Sequence, residues 1–234
     1  MLTQAQIEDR YFQIEHRIQT AAQQAGRSSG EITLIGASKK QTAALLGQFL
    51  ALGLHDLGEN YLQEAIEKQD TLNASDVCWH FIGGIQSRKS KQIAEHFEWV
   101  HGIDRNTVAE KLSRHRLESI QDKPINGLIQ INVDAQESKS GVSLSEISLL
   151  VEKILSLPGI HLRGLMLLPA PRDTVEEQRQ VFARARNLLD QLNSEFDLVL
   201  DTLSMGMSGD LEAAILEGST MVRIGTDLFG PRPV

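Results

Sequence analysis

The chain has 234 residues, a formal net charge of −8 and one cysteine. This length can bury a large apolar core without disulfide bonds, and it is typical of one α/β barrel. The acidic balance disfavours nucleic acid as the main ligand, and the single thiol fits a reducing compartment.

The predicted elements alternate between strands and helices after a first amphipathic helix. Apolar residues at helical spacing predict that helix over 3–25, and Gly26 ends it. Short apolar runs predict eight strands, over 32–37, 55–58, 77–82, 99–103, 127–133, 160–168, 198–203 and 220–224. Helical patterns separate them, over 42–53, 61–72, 90–96, 106–117, 144–157, 174–196 and 210–217. Such alternation predicts a parallel sheet with right-handed crossovers.

This pattern predicts a single α/β domain over residues 1–234: a (β/α)8 TIM-type barrel with an extra N-terminal helix. The alternative is an open doubly wound sheet, but the chain has no glycine fingerprint of the dinucleotide-binding kind. No secretory signal and no apolar run of membrane-spanning length is present. We therefore expect a cytoplasmic protein that does not bind membranes.

The first predicted strand leads directly into Ser38, Lys39 and Lys40. Barrel chemistry takes place at the C-terminal ends of the strands, and desolvation can free a lysine amine there to attack an aldehyde. The alternative is a pair of solvated loop lysines. Other polar residues could also have a purely structural role: Asn60 as a helix cap, and His80 and Cys78 as core residues.

The loops after the seventh and eighth strands are the candidate phosphate site. Small residues with hydroxyl groups, including Ser204 and Ser208, precede a helix, although Ser208 could equally cap that helix. Arg223 lies within an apolar strand, where a charge requires a partner, either a structural carboxylate or a ligand. Gly225 and Thr226 then offer further donors. With a lysine after strand one, these features together indicate a phosphorylated aldehyde as ligand.

Seven segments of the chain together resemble one known family, the pyridoxal phosphate homeostasis proteins. These are barrels similar to the N-terminal domain of alanine racemase. The segments are 36–39, 58–61, 79–83, 138–141, 163–166, 204–208 and 222–226, and they occur in order along nearly the whole chain.

The resemblance implies that pyridoxal 5′-phosphate (PLP) is bound as a Schiff base on Lys39. Arg223 matches the arginine that faces the pyridine nitrogen. The other implied cofactor-binding residues grip the phosphate or line the cofactor: Ser204, Ser208, Gly225, Thr226, Asn60 and Met205.

The chain also departs from the family pattern. Gly84 and Arg88 stand where Pro and Asn are expected, and Lys40 stands where a small polar residue is usual. Lys139 is left open as a second cofactor contact or a solvated loop residue.

The family resemblance implies a monomer that acts in intracellular vitamin B6, PLP and amino-acid homeostasis without catalytic turnover. PLP-dependent apoenzymes are its candidate partners. An arginine beside the pyridine nitrogen weakens the ring as an electron sink, and two-base racemisation needs a second acid or base. In alanine racemases, a tyrosine of an additional domain has that role. Here the tyrosines are Tyr11 and Tyr61, and few residues follow strand eight.

These features favour a non-catalytic PLP-binding protein over an amino-acid racemase. An aldolase-type Schiff-base barrel enzyme is the third reading, since it would use the same lysine and phosphate loops.

Overall fold

The computed structural model describes residues 2–119, 123–134 and 140–231. Within these residues, eight parallel strands close into a barrel in sequence order, and β1 pairs with both β2 and β8. The strands are β1 Thr33–Ala37, β2 Asp56–Glu59, β3 Cys78–Phe81, β4 Trp99–Ile103, β5 Ile125–Ile131, β6 Ile160–Leu167, β7 Thr202–Ser204 and β8 Met221–Ile224. The predicted (β/α)8 TIM-type barrel is confirmed, and the open sheet is wrong.

Helices surround the barrel, and the predicted N-terminal helix is also confirmed. The helices are α1 Gln4–Gln24, α2 Ala43–Leu50, α3 Leu62–Leu72, α4 Ser90–His96, α5 Asn106–Glu118, α6 Ile147–Leu155, α7 Val175–Phe196, α8 Leu211–Leu216 and α9 Thr226–Phe229. A capping box between Thr3 and Gln6 begins α1. The buried face of α1, which includes Ile7 and Ile14, packs against α2, α8 and α9.

The apolar core lies mainly between the strands and the surrounding helices. Phe49 of α2, for example, meets Phe229 of α9 edge to face, with ring centroids 4.9 Å apart. By contrast, a group of fully buried polar side chains connects β3, β4 and β7 inside the barrel: His80, His101 and Ser204. None of the helices in the described ranges has the length and apolarity that crossing a membrane requires.

Two differences from the sequence prediction stand out among smaller shifts in element boundaries. The seventh strand begins at Thr202 rather than at residue 198. The reason is that Asn193 of α7 binds the backbone of Leu200 twice, accepting from its N–H at 2.7 Å and donating to its C=O at 3.0 Å. The second difference is the four-residue helix α9, which directly follows Gly225 and was not predicted.

Candidate functional site

A cavity of about 320 Å³ opens at the C-terminal ends of β1, β7 and β8. Five of the eight predicted cofactor-binding residues line it: Lys39, Ser208, Arg223, Gly225 and Thr226. Among described residues, the lining contains no carboxylate, histidine, tyrosine or cysteine. The cavity is therefore rich in hydrogen-bond donors and carries cationic side chains without acidic ones.

Backbone donors add to this character. Within the described part of the chain, the N–H groups of Ser208, Gly209, Gly225 and Thr226 make no hydrogen bond. Gly209 also leaves space, because a Cβ atom there would meet nothing within 4 Å. Unengaged N–H groups on small residues are the donors that a phosphate group requires.

The turn that carries Lys39 is fixed from below by its neighbour Ser38, which is fully buried. The Ser38 hydroxyl donates to the Glu59 carboxylate at 2.6 Å, and its carbonyl accepts from Lys68 Nζ at 2.7 Å. Lys39 itself is half-buried and lines the cavity. The lysine therefore extends from an anchored backbone, which limits the positions that its amine can reach.

Lys40 is placed differently from Lys39. Its backbone is left-handed, with φ 64°, and its N–H donates to the Glu64 carboxylate. The Lys40 side chain is exposed and does not line the cavity. Among the two candidate amines, the structure brings only Lys39 into the cavity wall.

The anchor beneath this turn is a buried ion-pair network. Lys68 Nζ lies 2.6 Å from carboxylate oxygens of both Glu59 and Glu64. Burial raises the pKa of Glu59, and the hydrogen bonds from Lys68 and Ser38 oppose that rise.

Arg223 is 4% exposed and closes another part of the cavity. Its Nη1 donates to Ser204 Oγ at 2.5 Å, and its Nη2 donates to the Leu167 carbonyl at 2.9 Å. Burial lowers the pKa of Arg223 to about 10, while the charge of Asp210 opposes the shift. Arg223 forms no ion pair with any carboxylate in the described ranges, so the structural partner considered from the sequence is not found there.

Three predicted cofactor-binding residues do not line the cavity. Ser204 is fully buried behind Arg223, and Met205 is also fully buried. Asn60 is half-buried, and its Oδ1 is buried without a hydrogen bond among the described residues. It is not a helix cap, because the residue that precedes α3 is Tyr61. Direct cofactor contact by these three residues stays a prediction.

Sequence reasoning missed two groups of residues that contact the site. Arg17 of α1 reaches across to the phosphate loops: it binds Glu212, Asp227 and the carbonyl of Ser208, at 2.6 Å, 2.9 Å and 2.8 Å. An arginine on an amphipathic helix gave no signal for this role. The N-terminal helix thus braces both loops that line the cavity.

The second missed group lies inside the barrel. Asp56, His80 and His101 form a hydrogen-bonded row across β2, β3 and β4, which ends at Ser204. His80 was interpreted as a core histidine, and it is indeed fully buried with both ring nitrogens bonded. Cys78 beside Asp56 is half-buried, and burial raises the pKa of its thiol.

The departures from the family pattern lie away from the cavity. Arg88 Nε donates to Gln86 Oε1 at 3.3 Å, and the position of Gly84 is open. Lys139 lies outside the described residues.

Comparison with known proteins identifies relatives over nearly the whole chain. Residues 11–233 match the model of the alanine racemase N-terminal domain. The pyridoxal phosphate homeostasis protein of Pseudomonas aeruginosa is 48% identical over 226 residues, which cover 97% of this chain and 96% of that protein. The protein of the same name from Escherichia coli strain K12 is 43% identical and covers 94% of each chain.

Solved structures agree with these sequence matches. PipY of Synechococcus elongatus with PLP bound has a TM-score of 0.80 and 34% identity, over 86% of this chain and 93% of PipY. Alanine racemase from Corynebacterium glutamicum has a TM-score of 0.66 at 19% identity, which shows the common barrel fold alone. It covers 96% of this chain and 62% of the racemase. The chain therefore belongs to the pyridoxal phosphate homeostasis protein family, whose barrel is that of the alanine racemase N-terminal domain.

Proposed function

We propose that this chain binds PLP in the cavity between β1, β7 and β8, with the aldehyde held by Lys39 as a Schiff base. The observation that carries the proposal is Arg223, a buried guanidinium on the cavity wall with no carboxylate at ion-pair distance among the described residues, although the charge of Asp210 acts on it. Burying an unpaired charge is costly, so such a group favours a ligand that accepts its hydrogen bonds. PLP offers phosphate, phenolate and pyridine-nitrogen acceptors, and PipY, a 34% identical relative, has a structure with PLP bound.

The donors on the wall match PLP group by group. Ser208, Gly225 and Thr226 would hold the phosphate through hydroxyl and backbone N–H groups. Arg223 would face the ring, supported from behind by Ser204. Asn60 has a buried amide oxygen that makes no hydrogen bond within the described part of the chain, so it could accept one near the barrel mouth.

PLP would supply an electrophilic aldehyde and an electron-accepting ring. Lys39 and Arg223 are the titratable side chains in the described lining of the cavity. Removing and returning a proton on opposite faces of a substrate requires two acid–base groups, and an arginine rarely gives up its proton. The lining therefore favours retention of PLP in intracellular vitamin B6 and amino-acid homeostasis over catalytic turnover.

The remaining parts of the proposal follow the family resemblance. The chain would function as one domain over residues 1–234, as a monomer in the cytoplasm, with PLP-dependent apoenzymes as recipients. Sedimentation with and without PLP measures the oligomeric state, and transfer of PLP to a pure apoenzyme measures delivery.

Titration of the cofactor-free chain with PLP tests the binding proposal. We expect a saturable near-visible absorption band in the native protein, which Lys39→Ala loses and Lys40→Ala keeps. A Lys39→Ala protein with the complete band would contradict the assignment to Lys39 unless Lys40 had replaced it, and the double variant decides between these cases. Sustained racemisation of alanine or another amino acid by the pure chain would contradict the non-catalytic role.

A further inference from the structure

We propose that Asp56, at the end of the barrel opposite the cavity, positions Arg223 through an ordered hydrogen-bonded chain. This inference deepens the proposed function, because its effect on PLP rests on the PLP site, whereas the order of the chain does not. Asp56 begins β2 and Arg223 lies near the end of β8. Three fully buried side chains connect them: His80, His101 and Ser204.

The contacts are continuous from one end to the other. Asp56 Oδ1 lies 2.8 Å from His80 Nε2, and His80 Nδ1 lies 3.0 Å from His101 Nε2. His101 Nδ1 then lies 2.9 Å from Ser204 Oγ, which lies 2.5 Å from Arg223 Nη1. The first three distances are within the range of a normal hydrogen bond, and the last is a short one.

With neutral imidazoles, Asp56 sets the order of protons along these hydrogen bonds, and Arg223 at the other end is compatible with that order. Asp56 as a carboxylate only accepts, so His80 carries its proton on Nε2 and accepts on Nδ1. His101 must then donate from Nε2 and accept on Nδ1, which makes Ser204 the donor to His101. Ser204 therefore accepts from Arg223, and a guanidinium can only donate. Burial, and in addition the charge of Arg223, hold the pKa of His101 well below its ordinary value, as the order requires.

The chain fixes the direction in which Arg223 presents its donors. One Nη1 hydrogen is committed to Ser204 and one Nη2 hydrogen to the Leu167 carbonyl, which leaves the other N–H groups for the cavity. Without an acceptor at position 56, neither imidazole tautomer is specified and the Ser204 hydroxyl loses its defined direction. Asp56 is thus a positioning residue for Arg223, and its side chain, 28% exposed, makes the cavity sensitive to the opposite end of the barrel.

The first arm of the test needs no cofactor. Long-range nitrogen–proton NMR correlations of the histidine rings in the cofactor-free native chain report each tautomer. We expect His80 and His101 both to be neutral and protonated on Nε2. Protonation of His101 on Nδ1 would overturn the proposal.

The second arm compares two substitutions of Asp56 in the PLP-loaded chain. Asp56→Asn keeps an acceptor oxygen and should preserve both the histidine tautomers and the PLP absorption maximum. Asp56→Leu removes the acceptor and should mix the tautomers, shift the absorption maximum and release PLP about fivefold faster, in line with one weakened hydrogen bond. Asp76→Leu, at an exposed aspartate next to β3, is the control and should change none of these.

The outcomes separate this inference from the proposed function. If the native chain fails to bind PLP, the proposed function fails, while the histidine tautomers still decide the order of the chain. If Asp56→Leu matches the native chain in both tautomers and spectrum, Asp56 does not position Arg223. If Asp56→Leu fails to fold, the proposal is judged on the native chain and on Asp56→Asn. Protonation of His101 on Nδ1 in the native chain, or a shifted absorption maximum in Asp56→Asn, would then overturn it.

Discussion

Two buried cations stand on different sides of the barrel mouth, and their surroundings differ sharply. Lys68 is 5% exposed and has three oxygen partners within 2.7 Å, two of them on carboxylates. Arg223 is 4% exposed, yet its partners are a hydroxyl and a carbonyl. The Lys68 charge completes an internal network, whereas the Arg223 charge faces a cavity.

The difference originates in where each residue lies. Lys68 follows Glu64 by one helical turn on α3, so the local sequence provides one of its carboxylates. Arg223 belongs to β8, and its side-chain partner on the adjacent strand β7 is the neutral Ser204. A paired buried cation contributes to structure, and a buried cation without a carboxylate indicates a place for a ligand.

Removing Lys68 should have the largest effect on stability. Lys68→Met would leave Glu59 and Glu64 without their cation, and breaking a buried pair costs about 3–5 kcal/mol. Urea denaturation of the cofactor-free protein measures this loss. Lys91→Met, at an exposed lysine of α4, is the matched control, with an expected change within about 0.5 kcal/mol. A loss below about 1 kcal/mol in Lys68→Met would contradict the structural role assigned to Lys68.

Arg223→Met should change the stability of the cofactor-free protein much less, by about 1.5 kcal/mol or less. Two hydrogen bonds are lost, but the desolvation of an unpaired charge is relieved. Urea denaturation with added PLP should then show a reduced stabilisation by the ligand. A cost equal to that of Lys68→Met, together with unchanged stabilisation by PLP, would make Arg223 a structural cation as well.

The proposed phosphate ligands should each have a moderate effect on PLP retention. Thr226→Val and Ser208→Ala each remove one hydroxyl donor from the cavity wall, which corresponds to about 1 kcal/mol in binding free energy. Equilibrium dialysis of PLP measures this change. Ser156→Ala, which removes an exposed hydroxyl that does not line the cavity, provides the control. Unchanged retention in both variants would place the phosphate elsewhere.

Arg17→Met should have the smallest effect, about 0.5–1 kcal/mol, because its ion pairs are partly exposed. Burial raises the pKa of Glu212, but the hydrogen bond and charge of Arg17, together with a backbone hydrogen bond, outweigh it, so the net pKa lies below its ordinary value. A carboxyl group with a lowered pKa stabilises the fold at neutral pH and loses that contribution as pH falls through the lowered pKa. The ion-pair part of the stability difference between native chain and variant should therefore begin to shrink below about pH 4.3, the ordinary pKa of a glutamate, and vanish below the lowered pKa of Glu212. A difference that persists in acid would contradict the ion-pair account.

Local patterns were sufficient to predict the barrel and one part of the site. Short apolar runs mark the strands, and Lys39, Arg223 and Thr226 follow or lie within them, so their position at one end of the barrel follows from topology.

The hydrogen-bonded side chains inside the barrel, from Asp56 to Ser204, could not be predicted in this way. Asp56, His80 and His101 meet only because of the register between β2, β3 and β4, and no local pattern contains that register. Ser204 shows the same limit: its sequence position indicates a phosphate loop, while its side chain points to Arg223 inside the barrel. The late start of β7 depends in turn on a side-chain contact from Asn193.

The most direct test of the central claim is the site of covalent attachment of PLP. The PLP-loaded native chain is reduced with sodium borohydride and digested, and the modified peptides are identified by mass spectrometry. We predict one phosphopyridoxyl group, located on Lys39. A label on Lys40, or one spread over exposed lysines with Lys39 unmodified, would contradict the proposal that this cavity holds the cofactor.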